Sequence, residues 1–488
     1  MSGAGGAVSR MRNNQVPTAS TTAAATNRFL RIGGPLLHRA TLTRLDPSLR
    51  PPDRESPWHG PYGADMKFGI FYEHQFPRPW SEGDEHQLFK DALDQVELAD
   101  RLGFDRVWEV EHHFLEEYSH SSAPEVFLAA ASQRTSRIRL GHGIVLLPAE
   151  YNHTARVVER INTLDLLSDG RVDFGTGESS STAELDGFGA ERETKREQWL
   201  DHIEAATRMM VEEPFAGWDG PWLQMPPRNI VPKSHQKPHP PLWVACSQRE
   251  TIQLAARKGI GALTFAFVEP GEAEHWVAEY YATIASEECV PAGFAVNANI
   301  SSVLPMMCHG DEATAIERGI DGAHFFGYSL GHFYAFGSHS PGVTDIWAEF
   351  EQNRSAFGFD RETAAQTNVE LRARLAGTPA TIGEGLLSLR GAIGTPEQLR
   401  ALLRQYEAAG IDEVIFVSQA GRNRHEHICE SMELFAAEVM PEFAERDPEL
   451  TRQKEERLEP AVEAALARRE GPRSVDPDYR ITPPSAVG

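Results

Sequence analysis

The run Glu109-Val110-Glu111-His112-His113-Phe114 sets two adjacent imidazoles behind two carboxylates. Imidazole titrates near neutral pH, so such a pair suits proton transfer. Neighbours along a strand point to opposite sides, so His112 and His113 cannot both face one cavity. A metal needs two or three convergent ligands, and the chain has neither HExxH nor an HxH pair on its first strand. No metal is therefore expected, and a metal-dependent hydrolase built on His112 or His113 stands as a competing reading. A second candidate is Cys246-Ser247-Gln248, where a strand meets a helix starting near Glu250. Free N–H groups and a hydroxyl at a helix start attract an anion such as phosphate, although Ser247 could simply cap the helix. The third is Gly175-Thr176-Gly177-Glu178-Ser179-Ser180-Ser181-Thr182, whose small residues allow close approach to a flat ligand. Arg196, on the next helix, could reach that loop as a charge partner.

These residues need a scaffold that brings strand ends together. From Met66 onward, apolar runs that read as strands alternate with helical periodicity. The strands fall at Lys67–Phe71, Arg106–Val110, Ile138–Leu146, Val172–Gly175, Leu242–Ala245, Ala262–Phe265, Val296–Pro305 and Glu413–Ser418. Between them lie helices such as Asp84–Leu102, Thr154–Leu167 and Thr194–Val211, and Thr395-Pro396-Glu397-Gln398 is a capping box for a helix ending at Gly410. Strict alternation implies parallel strands with helical crossovers, and eight units predict an α/β fold, a (β/α)8 TIM barrel. A doubly wound open sheet is the alternative, but no GxGxxG follows a strand and no GxxxxGK[ST] occurs. In a barrel of this kind the chemistry gathers at the carboxyl ends of the strands, where all three candidates fall.

The predicted divisions are a disordered extension over 1–64, a barrel domain over 65–446 and a charged tail over 447–488. The first 45 residues hold six Arg and no acid. That composition fits a disordered arm, or an upstream start with Met66 the true one, or else a transit peptide. A long insertion between strands 7 and 8, roughly 310–394, carries Phe325, Phe326, Tyr328, Phe333, Tyr334, Phe336, Trp347 and Phe350. Those aromatics form either a lid over an apolar ligand or a packed satellite cluster. The tail is read as a solvated helix over Glu449–Arg469 followed by disorder.

The chain has 488 residues, a net charge of −24 and 41% hydrophobic residues, with no apolar stretch long enough to cross a membrane. That charge repels nucleic acid and anionic lipid, so neither is an expected partner. Four scattered cysteines without CxxC argue against a disulfide framework and suit a reducing, cytoplasmic setting.

Met66-Lys67-Phe68-Gly69, Gly103-Phe104-Asp105-Arg106-Val107-Trp108, Glu111-His112-His113-Phe114, Leu166 to Arg171, Gly394-Thr395-Pro396-Glu397 and Glu433 to Pro441 resemble, in order and spacing, the bacterial luciferase-like flavin monooxygenase family. The resemblance implies a barrel that binds reduced FMN (FMNH2), at which O2 adds to flavin C4a, giving a peroxide that oxygenates a substrate. It implies that His112 is the active-site histidine and that Ser247 and Arg196 bind the cofactor phosphate. Glu111, Gly177, Glu178, Cys246 and Gln248 are then further cofactor contacts, and Gly143-Ile144 falls where luciferase has a non-proline cis peptide. Glu178 replaces an Arg of luciferase, Cys246 a Glu and Gly177 a reactive Cys. The same resemblance leaves open a deazaflavin (F420) oxidoreductase and a non-catalytic flavin-binding relative. It implies a two-component system with a separate NAD(P)H:flavin reductase. The aromatic insertion implies a small apolar organic substrate. A homodimer is expected through the helices at 124–134 and 154–168, where Val157, Val158, Ile161 and Leu164 lie on more than one side. The alternative is that these are two deeply buried core helices.

Overall fold

The computed structural model describes residues 66–264, 270–356, 359 and 390–482. The expected extension over 1–64, the middle of the insertion (360–389) and the last six residues lie outside the described residues.

Eight parallel strands close into a barrel. In chain order the strands are β1 (Lys67–Tyr72), β2 (Arg106–Glu109), β3 (Arg139–His142), β4 (Val145–Leu146), β5 (Val172–Gly177), β6 (Trp218–Asp219), β7 (Gln224–Met225), β8 (Leu242–Cys246), β9 (Gly261–Thr264), β10 (Ile300–Cys308), β11 (Ala392–Gly394) and β12 (Glu413–Val417). The barrel runs β1-β2-β3-β5-β8-β9-β10-β12, and β12 returns to β1 with Lys67 opposite Glu413. The short β4 adds to β5, β11 adds to β10, and β6 with β7 forms a separate hairpin. The eight barrel strands are those expected from the alternation, so the TIM barrel is observed.

The predicted third strand, 138–146, is broken at Gly143-Ile144 into β3 and β4. There Gly143 N–H donates to the Glu109 carbonyl at 2.7 Å and carries the chain across β2. The cis peptide expected at Gly143-Ile144 is not found. Every cis bond among the described residues precedes a proline, and a non-proline cis bond would cost about 3–4 kcal/mol.

The barrel interior is filled from the floor upward. Trp108 and Trp243 meet edge to face at 5.3 Å. Trp108 donates its indole N–H to Glu413 and Trp243 donates to Asp173, each at 3.1 Å. Arg106 bridges the same two carboxylates, closing the floor with buried charge. A Cβ on Gly141 would stand 2.3 Å from the Trp108 ring, so β3 needs glycine there. Above the floor, Phe71, Leu263, Val303, Ile415 and Val417 continue the interior into Tyr118 and Phe326 at the mouth.

The outer helices used below are α1 (Asp84–Leu102), α2 (Pro124–Ser132), α3 (Thr154–Leu167), α4 (Thr182–Phe188), α5 (Lys195–Val211), α6 (Arg249–Arg257), α7 (Pro270–Ile284), α8 (Glu312–Gly331), α9 (Ile346–Asn353), α10 (Pro396–Ala409), α11 (His425–Glu438), α12 (Met440–Ala444) and α13 (Asp447–Ala467). Helix α10 starts at the predicted capping box, with Thr395 and Gln398 bonding reciprocally. On α3, Val157, Val158, Ile161 and Leu164 are all buried within this one chain. They therefore pack the core and give no ground for a dimer contact. No described helix is long and apolar enough to cross a membrane.

The described part of the insertion is α8, a π-helical turn (His332–Phe336) and α9. Its aromatics divide between the two predicted roles. Phe326, Phe333 and Tyr334 join the cluster at the barrel mouth, whereas Phe325, Tyr328, Ile346, Trp347 and Phe350 form a separate packed cluster. Glu117 ties this unit to the β2 loop. Its buried carboxylate accepts the N–H groups of Ile346 (2.7 Å), Trp347 (3.1 Å) and Arg78 (2.9 Å).

The tail helix forms as predicted, but it is not simply solvated. Lys454, Leu458 and Ala465 of α13 are buried. Lys454 donates to Asp412 at 2.7 Å and to Asn299 at 2.6 Å beneath the barrel floor. Residues beyond it are held by Arg468 and Arg469, which bond the carbonyls of Cys289, Ser286 and Pro291. These buried partners, supplied by distant segments, hold the helix and the residues after it against the barrel.

Candidate active site

The chain leaves β2 at the barrel mouth, and His112 and His113 diverge there. His112 lies against Tyr118 (5.7 Å) and Tyr334 (6.5 Å), both at the inner mouth. His113 lies against Phe188 at 4.9 Å. His112 is the inward one.

Both ring nitrogens of His112 meet carboxylates. Nδ1 is 3.0 Å from Glu184 Oε1, and Nε2 is 3.7 Å from Glu73 Oε2. Glu184 is fixed by two further donors, the His113 N–H at 2.9 Å and the Ser179 hydroxyl at 2.6 Å. Burial alone would lower the His112 pKa, but Glu73 and Glu184 outweigh it and raise it to about 9. Burial raises Glu73 to about 7 against the pull of His112, Tyr118 and Ser119. Glu184 stays below the ordinary carboxylate range, because its donors and His112 overcome its burial. An imidazolium held between two carboxylates stays charged at neutral pH and so stores a proton there.

Glu111 has a different task from the contact expected of it. It accepts the Leu146 N–H at 2.7 Å and Asn152 Nδ2 at 2.9 Å, and it lies 3.3 Å from His113 Nε2. It therefore braces the segment after β3. Ile144 sits at the edge of the barrel-interior cluster. A Cβ on Gly177 would come 2.5 Å from Ile144 Cδ1, so this glycine makes room for a side chain.

The anion side assembles one loop away. Arg196 on α5 holds Glu178 at 2.6 Å and reaches Thr251 Oγ1, in the first turn of α6, at 3.5 Å. Lys195 lies 3.6 Å from the same Glu178 and donates to the Ser179 carbonyl. Ser247 and Gln248 are exposed. Gln248 is the N-cap residue of α6, and no side chain caps that helix. Ser247 thus does not serve as the plain cap that its position allowed, and the first N–H groups of α6 lack a side-chain cap. Cys246 departs from expectation: its buried thiol points to the Val244 carbonyl, and burial pushes its pKa up. Its side chain packs in the core between strands and helices.

Ser179, hydrogen-bonded to Glu184, directly follows Glu178, so the loop over 178–184 joins His112 to the anion side. Of the residues predicted, the structure groups His112, Glu111, Gly143, Ile144, Gly177, Glu178 and Arg196 around the β2, β3 and β5 ends, with Ser247 and Gln248 at the start of α6. Sequence reading missed Glu73, Tyr118, Glu184 and Lys195. Glu73 directly follows β1, so the rule that strand ends carry the chemistry pointed to it. Glu184, 72 residues from His112, had no local signal. Among the described residues no group of three His, Cys, Asp or Glu is placed to hold a metal.

A family model for luciferase-like monooxygenases matches residues 66–413. The chain belongs to the luciferase-like monooxygenase family. Two Sinorhizobium fredii relatives of uncharacterized role are 30% and 27% identical, and the chain spans 63% and 66% of their length. The alkanal monooxygenase alpha chain of Photobacterium leiognathi is 27% identical over 75% of this chain and 96% of that one. The oxygenase component of the flavin-dependent trigonelline monooxygenase of Acinetobacter baylyi is 25% identical over 40% of this chain and 52% of its own. The crystal structure of the monooxygenase RslO1 from Streptomyces bottropensis superposes with a TM-score of 0.60 at 25% identity. It covers 78% of this luciferase-like chain and 100% of its own.

Proposed function

We propose that this chain is the oxygenase component of a cytoplasmic two-component system, using reduced FMN and O2 to oxygenate a small apolar organic substrate. The observation that carries this reading is the linked pair of sites at the barrel mouth. His112 lies between Glu184 and Glu73, and the loop over 178–184 joins it to Arg196, Lys195 and the uncapped start of α6. The residues fit a phosphorylated flavin. An uncapped helix start and two cations beside one carboxylate give a net positive cradle for an anion. Arg196, Lys195, Ser247 and the first N–H groups of α6 would hold the phosphate. The bound flavin supplies the two electrons that activate O2.

The protein's own groups do the rest. His112, charged near neutral pH, holds a proton at the mouth and gives it up from Nε2, because Nδ1 is committed to Glu184. Tyr118, Phe326, Phe333 and Tyr334 supply the apolar wall that excludes water and binds the substrate's hydrocarbon. A separate NAD(P)H:flavin reductase is the partner this reading requires. The Acinetobacter relative, named as an oxygenase component, supports it. A homodimer would use the exposed Phe114, Val126, Leu166 and Leu167.

The test is an anaerobic titration with FMNH2 and, separately, with reduced F420, followed by admission of O2. Tighter binding of FMNH2 than of oxidised FMN, with oxygen uptake, is the expected result. Preference for F420 would move the chain to the deazaflavin branch. Bound flavin without oxygen uptake would make it a non-catalytic relative.

A further inference from the structure

We propose that Glu73 is a positioning residue of this site, sharing with His112 the proton that the imidazole carries on Nε2. The inference rests on the reading of His112 as the proton-handling group.

The geometry leaves that proton few places to go. Nδ1 faces Glu184, which the His113 N–H and the Ser179 hydroxyl hold in place, so Nδ1 keeps its hydrogen. Nε2 faces Glu73 Oε2 at 3.7 Å. That oxygen is buried and makes no hydrogen bond among the described residues. The other oxygen, Oε1, accepts the Tyr118 hydroxyl at 2.9 Å. The Glu73 backbone is pinned, because its carbonyl accepts the Ser119 hydroxyl at 2.8 Å and the His120 N–H at 3.2 Å, and the Tyr118 hydroxyl holds its carboxylate. An ionised carboxylate with one bare buried oxygen is costly unless a cation faces it. The groups facing the pair are Glu184 from α4, Glu109 and Glu111 from the end of β2, Tyr118 from the loop after it, and Tyr334 from the π-helical turn. None of these is a cation, so His112 is the counter-charge.

The step is a simple exchange. Once the pair closes from 3.7 Å to hydrogen-bond distance, the proton leaves Nε2 and bonds to Oε2, leaving a neutral imidazole and a neutral acid, and the reverse recharges both. The two groups therefore titrate as a pair. Glu73 sets the pH at which His112 gives up its proton and lies beside it to take that proton.

The test is histidine NMR on the flavin-free full chain, with the His112 signal assigned by its loss in His112→Gln. In Glu73→Gln, which keeps the size of the side chain, the His112 midpoint should fall by about one to two pH units. Glu73→Asp keeps the charge but draws it back from Nε2, so it should lower the midpoint by a smaller amount, and it serves if Glu73→Gln does not fold. An unmoved midpoint in a folded Glu73→Gln, or in Glu73→Asp in its place, would overturn the proposal. The pH profile of FMNH2-driven oxygen uptake should move with the midpoint. If the NMR midpoint moves and the profile does not, the sharing stands and the assigned role of His112 in turnover fails.

Discussion

Glu178 is a carboxylate lodged where the proposed cofactor phosphate must be held, and this makes a prediction that runs against intuition. Changing Glu178→Gln should tighten FMN binding. Glu178 engages Arg196 at 2.6 Å and Lys195 at 3.6 Å. Those cations must be shared between the carboxylate and the incoming phosphate. Neutralising Glu178 raises the local formal charge from one positive to two. Arg196 is partly exposed, its side chain 41% accessible, so each added charge interaction is worth only about 0.5–1 kcal/mol. A phosphate near two negative charges then gains roughly 1–2 kcal/mol, or about 5- to 30-fold in affinity. Fluorescence titration of FMN and of riboflavin, at low and high salt, reads this out. FMN should bind the variant more tightly, riboflavin should not, and the gain should shrink as salt screens the charges. A weaker FMN complex, or an equal gain for riboflavin, would refute the assignment of the phosphate to this cradle.

Glu117→Ala removes the acceptor for the Ile346, Trp347 and Arg78 N–H groups. Hydrogen exchange should rise across α9, with a stability loss on the order of 3 kcal/mol. Lys454→Ala removes the ammonium paired with the buried Asp412, which keeps the Tyr281 hydroxyl and the Ile300 N–H, and urea unfolding should show a loss of about 3 kcal/mol. Burial pushes Glu413 up to about 7, despite Arg106. Its raised pKa means that its contribution is full below about 4.5 and is lost as pH rises through 7. The stability of wild type relative to Glu413→Gln should therefore fall across that window by up to about 3 kcal/mol. A flat difference would contradict the burial argument.

The scaffold was legible because its signal is local. Alternating strands and helices, the Thr395 capping box and the ends of α3 follow from periodicity within one segment. The site was legible where chemistry sits on one strand end, as at His112, and illegible where it is made by convergence. Glu73 and Glu184 reach the same imidazole from two other crossovers, and no spacing along the chain encodes that meeting. The buried face of α13 was readable in principle. Lys454, Leu458, Val462 and Ala465 recur at helical spacing, but the density of charge around them masks the stripe. The bond at Gly143-Ile144 shows the reverse hazard. A feature carried over by resemblance had no support in the local chemistry, since a glycine there reaches Glu109 with a trans peptide.

The central claim is that His112 manages a proton beside a reduced flavin, and stopped-flow oxygen uptake with FMNH2 in wild type and His112→Ala tests it most directly. The account predicts that FMNH2 affinity stays within a few-fold while substrate oxygenation collapses. Full turnover by the variant would contradict it.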